Sequence, residues 1–396
     1  MTLLETIVKV SSNQGPDDLS SEFPTVLNPD FSLLKAKNES PNLASLVSPI
    51  TGWQLSKADR VVFGHAKDFC NGLSRKLKNT NKFNKEAFVE SLRAFLEKVR
   101  VSAGISIAVD KNDPAYTCVM MENLGFLMGK KLTGLVLEAC LAFELWQLLS
   151  SMITVSGIID SSFYPNLVLN LVSKRRSDLI VLCIKQAPDL KSTELFCILK
   201  YFLCPPGDSL ETMVSVRCEL EEQGKLSIKH VKDTKLNGEK LQLARDAAVL
   251  LMLALDGFSD PELCLHYLLA SPNIDEAILS FSISKLNGQE LTSMITYLGK
   301  WLRKYERFPQ AIPCPRAASL FGLSACNWVP KLEDVIKHAS LLLDENFSSL
   351  VLHTEFHEEL RSMANAVSSL TAEARLCALT ANVVETILKE DNPGVV

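Results

Sequence analysis

The spacing of apolar and polar residues repeats between two distant segments of the chain. Glu194–Tyr201 and Glu290–Tyr297 both follow the pattern Glu-Leu-x-x-apolar-apolar-x-Tyr. Each comes after a shorter apolar stretch with helical spacing, Asp178–Lys185 or Asp275–Lys285. A unit that keeps its apolar positions is typical of helical repeats, which bury their apolar faces by stacking on neighbours. The pattern therefore predicts an all-α fold, an α-solenoid of stacked antiparallel helical hairpins with a long C-terminal helix.

Helical periodicity continues on both sides of these two segments. An amphipathic helix is predicted from Leu55 to Leu77, and Asn84 has the residue type of an N-cap for a second helix. The stretch Leu132–Ile153 is apolar on most faces, which predicts one central buried helix. Further helices are predicted at 163–173, 177–187, 192–203, 208–223, 239–256, 260–270, 274–285, 289–305 and 332–343.

Proline-rich stretches divide the chain. Residues 1–50 hold five prolines in a Ser/Asn/Asp-rich sequence and are predicted to be a disordered or loop-like N-terminal segment. Residues 309–330 hold four more and are predicted to form an exposed Pro-rich loop around a brief helix, Arg316–Leu323. The other predicted parts are an N-terminal helical region at 51–156, a helical-repeat array at 157–308 and a C-terminal helical cap at 331–396.

The C-terminal cap contains the most regular apolar pattern in the chain. Its apolar residues alternate at spacings of three and four, which is the a/d pattern of a coiled coil. We call this row the a/d seam: Leu360, Met363, Val367, Leu370, Ala374, Cys377, Ala381, Val384 and Leu388. The helix could pack back on its own array as a terminal cap, or it could pair with a helix of a partner subunit. The residues predicted to bind a partner are Val367, Leu370, Ala374, Cys377 and Ala381.

A second candidate for partner binding precedes the Pro-rich loop. Residues 301–308 combine aromatic and cationic side chains, a composition that is over-represented at protein interfaces. The candidate residues are Trp301, Arg303, Lys304, Tyr305 and Phe308. Core packing is the alternative for Trp301, while Tyr305 and Phe308 are expected to make contacts under or across the loop.

Composition and charge exclude several classes of protein. Apolar residues make up 47% of the chain and charged residues 22%, as in ordinary globular proteins. The net charge of −5 argues against a dedicated nucleic-acid-binding protein. The 11 cysteines form no Cys-x-x-Cys pair, and most lie inside apolar helical runs, which is typical of core residues in a reducing compartment. We therefore expect a soluble intracellular chain with no membrane span.

The sequence shows no local catalytic signature. His353 and His357 have the spacing of two zinc ligands on one helix face, but Thr354 stands where a zinc protease needs glutamate. No further His or Cys lies near enough in sequence to complete a site. We therefore predict no catalytic residue, no metal, no cofactor and no small-molecule substrate, and we expect that the chain is not an enzyme. A helical enzyme with a dispersed site is an alternative.

Three C-terminal segments carry a resemblance to a known family. The segments Trp301–Pro309, Trp328–Val335 and Leu341–Leu352 follow one another in an order that resembles the C-terminal helical region of nucleolar protein 11, in its plant-type form. The resemblance covers about residues 160–390 and rests on packing patterns. It implies a non-enzymatic subunit of the small-subunit processome that supports pre-rRNA transcription and 18S rRNA maturation. Family members carry a β-propeller ahead of the helices, and this chain shows no propeller-like strand repeats.

Two functional hypotheses follow. The first is a helical scaffold in the nucleus and nucleolus that binds other protein subunits of a pre-ribosomal complex, with contact to pre-rRNA that is at most indirect or weak. The second is a cytoplasmic α-solenoid adaptor in a trafficking or ubiquitin-ligase complex. Subcellular localisation separates them.

Overall fold

The chain is almost entirely helical where its structure is described. The computed structural model describes residues 25–27, 47–49, 57–78, 83–106, 109–110, 113–233 and 237–391. These residues form sixteen α-helices, which confirms the predicted all-α class. The predicted loop-like segment 1–50 lies outside the described residues, apart from two three-residue strands. These strands, β1 (Thr25–Leu27) and β2 (Val47–Pro49), pair antiparallel with Val26 opposite Ser48.

The sixteen helices follow in chain order. The first eight are α1 (Lys57–Lys78), α2 (Lys85–Ala103), α3 (Tyr116–Leu124), α4 (Lys130–Ala142), α5 (Trp146–Thr154), α6 (Tyr164–Ser173), α7 (Ser177–Gln186) and α8 (Ser192–Leu203). The next eight are α9 (Leu210–Val231), α10 (Glu239–Leu255), α11 (Asp260–Leu269), α12 (Glu276–Ile283), α13 (Gly288–Arg307), α14 (Pro315–Phe321), α15 (Leu332–Leu352) and α16 (His357–Asp391). Short 3-10 turns lie at Gly125–Met128, Ser161–Phe163, Gly207–Ser209, Ser324–Trp328 and Thr354–Phe356.

Most helix boundaries agree with the predicted ones because capping residues define them. Asn84 caps α2 as predicted, since its side-chain oxygen accepts a hydrogen bond from the Ala87 backbone at 3.0 Å. Asn287 and Glu290 form a capping box at the start of α13, with reciprocal bonds of 3.0 and 2.9 Å. The predicted helices between 163 and 305 correspond to α6–α13, although α9 continues to Val231 rather than ending at 223.

The predicted single helix over Leu132–Ile153 is wrong, because the chain breaks there into α4 and α5. Glu144 adopts a left-handed conformation with φ of 55°. The backbone N–H of Leu145 then donates to the carbonyl of Cys140 at 2.9 Å, which is the closing bond of a Schellman motif. Glycine usually occupies the left-handed position, so a glutamate there gave no sequence signal.

The two copies of the repeated motif lie in contact. Lys200 in the first copy pairs with Glu290 in the second at 3.2 Å. However, α8 packs mainly against α6, α11 and α12. The helices are packed side by side, but the regular solenoid order stays a prediction.

The predicted exposed loop at 309–330 is exposed only in part, at residues such as Ile312 and Leu320. The segment contains α14, close to the predicted brief helix, and packs against α10. Seven of its small and apolar side chains are buried and join the hydrophobic cluster that extends from Val62 to Ala366. The buried members are Ala311, Cys314, Ala317, Leu323, Ala325, Cys326 and Val329. Its prolines interrupt the helices without removing the segment from the core.

Candidate protein-binding surface

Trp301 and Tyr305, two of the predicted interface residues, lie in the core. Trp301 is 1% exposed, and its ring centroid is 5.0 Å from that of Phe258 and 5.5 Å from that of Tyr305. The hydroxyl of buried Tyr305 donates to the carbonyl of Pro330 at 2.6 Å, and burial raises the pKa of this tyrosine. These contacts assign both rings to packing, since a partner could not reach them without unfolding this region.

The two cations of the same segment bind other parts of the chain. Arg303 pairs with Glu359 at 2.7 Å and donates to the hydroxyl of Ser362 at 3.0 Å, so it joins α13 to α16. Lys304 pairs with Asp256 at 2.9 Å, and the lysine holds the pKa of that carboxyl below its usual value. Of the five candidate residues in 301–308, Phe308 is the exposed one, and it lies directly after the end of α13.

The first half of α16 packs back onto α13. The helices approach closely at Gly299, where an added Cβ would meet the Glu359 carboxylate and would lie 3.3 Å from the Cγ of Met363. Met363 and Ala366 are buried, and Leu370 is half-buried at the edge of this contact. This part of the a/d seam therefore acts as the predicted terminal cap.

The second half of α16 extends beyond its contacts with α13, and we call its residues 371–385 the projecting half. Every residue from 371 to 385 is exposed, including the seam residues Ala374, Cys377 and Ala381. Val367 is also exposed, although it lies before the projecting part. A shallow apolar groove of about 570 Å³ runs along this part of the helix, lined by Leu376, Cys377, Thr380, Ala381, Val384 and Glu385. Among the described residues, the seam is therefore covered at Met363 and exposed at Ala374, Cys377, Ala381 and Val384.

A second apolar row lies on the other side of the projecting half and was missed in the sequence. Leu376, Leu379 and Val383 are 65%, 62% and 57% exposed. Residues two positions apart differ by about 200° around a helix, so Leu379 lies almost opposite Cys377. We call these three residues the opposite face; Leu376 lies at its edge and also lines the groove. Their spacing of three and four is visible in the sequence, but the seam is the more regular pattern and was therefore taken as the candidate surface.

Exposed apolar residues also lie on both sides of a kink in α15, where Asn346 has a non-helical φ of −118°. Ile336, Leu343, Phe347 and Val351 are all exposed and lie at helical spacings of seven, four and four. The sequence pattern predicted a helix only over 332–343, which is the first half of α15. These residues could not be recognised together until the full length of α15 was known.

The histidine pair is not arranged as a metal site. The ring Nε2 of His357 lies 3.0 Å from the carbonyl oxygen of Val351, and His353 packs edge-on against Phe356 with ring centroids 6.2 Å apart. Within the described ranges, no group of three or more His, Cys, Asp or Glu residues could hold a metal ion. Of the helices whose residues are described, none combines the length and apolar character needed to cross a membrane.

No protein-family model matches this chain, and a search of curated proteins gives no match either. The surface described above is therefore interpreted from its own chemistry.

Proposed function

We propose that this chain is a non-enzymatic helical scaffold that binds other proteins through the projecting half of α16. The observation that carries the proposal is the exposure of apolar side chains on two opposite sides of one helix. A helix that is apolar on all sides is normally buried, because water solvates neither side favourably. Exposed apolar patches of this kind mark protein interaction sites.

The charge distribution on the projecting half supports a protein partner. Between residues 371 and 385 only Glu373, Arg375 and Glu385 carry charge, and together they leave no excess of cations. A surface that binds phosphate backbones needs clustered Lys and Arg residues, because these neutralise the phosphates. The chain's net charge of −5 agrees with contact to RNA that is at most indirect.

The more specific proposal is that the complex is the small-subunit processome, in the nucleolus. It rests on the resemblance of residues 160–390 to the C-terminal helical region of nucleolar protein 11. On this proposal the chain supports pre-rRNA transcription and 18S rRNA maturation by holding protein subunits together.

Affinity purification of the tagged chain from nuclease-treated nuclear extract tests this proposal. We expect processome subunits to be recovered with the unmodified chain and to be lost with Leu376→Asp combined with Leu379→Asp. Asn382→Asp is the matched control, because it adds a negative charge beside the two apolar faces. Recovery of trafficking or ubiquitin-ligase subunits alone, with a cytoplasmic signal in cell imaging, would favour the adaptor function and overturn the nucleolar one.

A further inference from the structure

The a/d seam continues beyond the helix that covers its first part. Within the chain, α13 occupies the seam at Met363, and α13 ends at Arg307. The seam then continues past Leu370 through fifteen exposed residues, 371–385, or about 22 Å of helix at about 1.5 Å per residue. An added helix would therefore extend an interface that already exists between α13 and α16.

We propose that a second copy of this chain supplies that helix, with the two projecting halves packed antiparallel about a two-fold axis near residue 379. This proposal rests on the scaffold function above and names the partner of one of its two faces. A two-fold interface requires a surface that is complementary to itself, because each residue meets the symmetry-related part of the other copy.

The sizes of the seam residues meet this requirement. With residue 379 at the axis, Ala374 of one copy faces Val384 of the other, and Cys377 faces Ala381. Each of these layers contains at least one small side chain, so the two helices can approach closely between residues 374 and 384. Close packing of this kind maximises contact between the helices.

A parallel arrangement fits the same residues less well. It would place Ala374, Cys377 and Ala381 each opposite its own equivalent, which gives three consecutive layers of small side chains. The larger Val384 would then meet Val384 and hold the helices apart beside those layers. Voids between helices lose packing contacts and stability, which favours the antiparallel arrangement.

The charges of the projecting half permit the antiparallel arrangement. On each side of the seam, the flanking residues meet those that flank the same side in the other copy. Glu385 of one copy therefore faces Thr371 of the other, and Ala378 faces Ala378. Glu373 of one copy lies at the height of Glu385 of the other, but on the other side of the seam, so the two carboxylates do not face each other. Like charges that face each other across a coiled coil would disfavour association.

Light scattering coupled to size-exclusion chromatography measures the association directly. We expect the full chain to be a dimer at tens of micromolar and Val384→Asp to raise the dimer dissociation constant by at least about tenfold, because a buried carboxylate loses its hydration. Leu379→Asp is the matched control on the opposite face, outside the groove, and should leave the dimer intact. A monomeric unmodified chain at these concentrations would overturn the proposal, as would dissociation by Leu379→Asp but not by Val384→Asp.

Disulfide trapping tests the orientation. In a Cys218→Ala background, which removes the other exposed cysteine among the described residues, Ala381→Cys should give a covalent dimer on mild oxidation through Cys377 of one copy and the new thiol of the other. The same change combined with Cys377→Ala should not, because two thiols at position 381 would lie about 10 Å apart between Cα atoms, beyond the reach of about 7 Å. Cross-linking by the combined variant instead would indicate a parallel dimer and overturn the antiparallel proposal.

The two proposals fail separately. A monomeric chain that still recovers nuclear subunits refutes the dimer and leaves the scaffold function in place. If the unmodified chain is a dimer but recovers no other protein, the scaffold function is refuted and the dimer stands.

Discussion

Buried His266, whose ring lies among those of Phe258, Tyr297 and Trp301, predicts that this protein loses stability in weak acid. His266 in α11 is 1% exposed. Its Nε2 lies 3.0 Å from the carbonyl oxygen of Ala254, which can only accept, so this nitrogen carries the proton. Its Nδ1 then accepts from the hydroxyl of Tyr297 at 2.8 Å. The neutral ring is fully hydrogen-bonded, and burial lowers its pKa to about 3, with a smaller contribution from the charge of Lys304.

The size of the effect follows from the difference in pKa between the folded and unfolded chains. An unfolded histidine titrates near pH 6.5, so between about pH 6.5 and 3 the unfolded chain binds a proton that the folded chain excludes. Stability is therefore fully present above this range and falls as the pH drops. At about pH 5 the loss is about 2 kcal/mol for one such group. His338, whose pKa burial lowers to about 4, adds a loss of similar size, about 2 kcal/mol.

Urea denaturation followed by circular dichroism, at about pH 7 and about pH 5, measures this loss. His266→Leu should lower stability at neutral pH, because Tyr297 and Ala254 lose their partner. It should also reduce the fall between the two pH values by about 2 kcal/mol. His353→Leu removes an exposed histidine and should leave that fall unchanged. If His266→Leu lost as much stability on acidification as the unmodified chain, the assignment of a neutral buried ring would be refuted.

Three further predictions concern residues of the core and of the projecting helix, all measured as the free energy of unfolding in urea. Glu290→Ala should cost about 1–2 kcal/mol, because it removes the capping box and the partner of Lys200. Glu194→Met should be neutral or stabilising, because a carboxylate oxygen of Glu194 is buried without a hydrogen-bond partner. An equal loss at both positions would contradict this reasoning. Tyr305→Phe should cost about 1–2 kcal/mol because a buried carbonyl loses its donor, and a change near zero would mean that water replaces the hydroxyl. Leu298→Ala should cost about 2–5 kcal/mol, because this side chain is buried. Leu376→Ala should cost under about 0.5 kcal/mol, because this side chain is exposed. A large loss for Leu376→Ala would show that the projecting half is packed within the chain.

The interpretation of residues 301–308 shows where composition misleads. Aromatic residues beside cations are common both at interfaces and in cores where lysine and arginine stems cover aromatic rings. Here Lys304 lies over the ring of Phe258, with its nitrogen 5.2 Å from the centroid, and its charge is paired with a carboxylate. The residue types were identified correctly, but only the packing of α13 against its neighbours assigned them to the inside.

The sequence by itself determined the all-α class and most helix boundaries, since both depend on local properties. Periodicity of three to four residues and N-cap residues such as Asn84 act within one or two turns of helix. Glu144 is the exception that fits this reason: its left-handed conformation has no local cause in the residue type, and the neighbouring helices α4 and α5 fold against the rest of the core around it.

Only the tertiary structure decided which apolar residues are covered. The seam of α16 has the same spacing throughout, yet Met363 is buried against α13 while Ala381 is exposed, because α13 ends first. Likewise, Glu194 and Glu290 occupy the same position in the repeated motif, but Glu290 pairs with Lys200, whereas one carboxylate oxygen of Glu194 is buried without a hydrogen-bond partner. Spacing along the chain specifies which face of a helix is apolar. What lies against that face depends on residues far away in sequence.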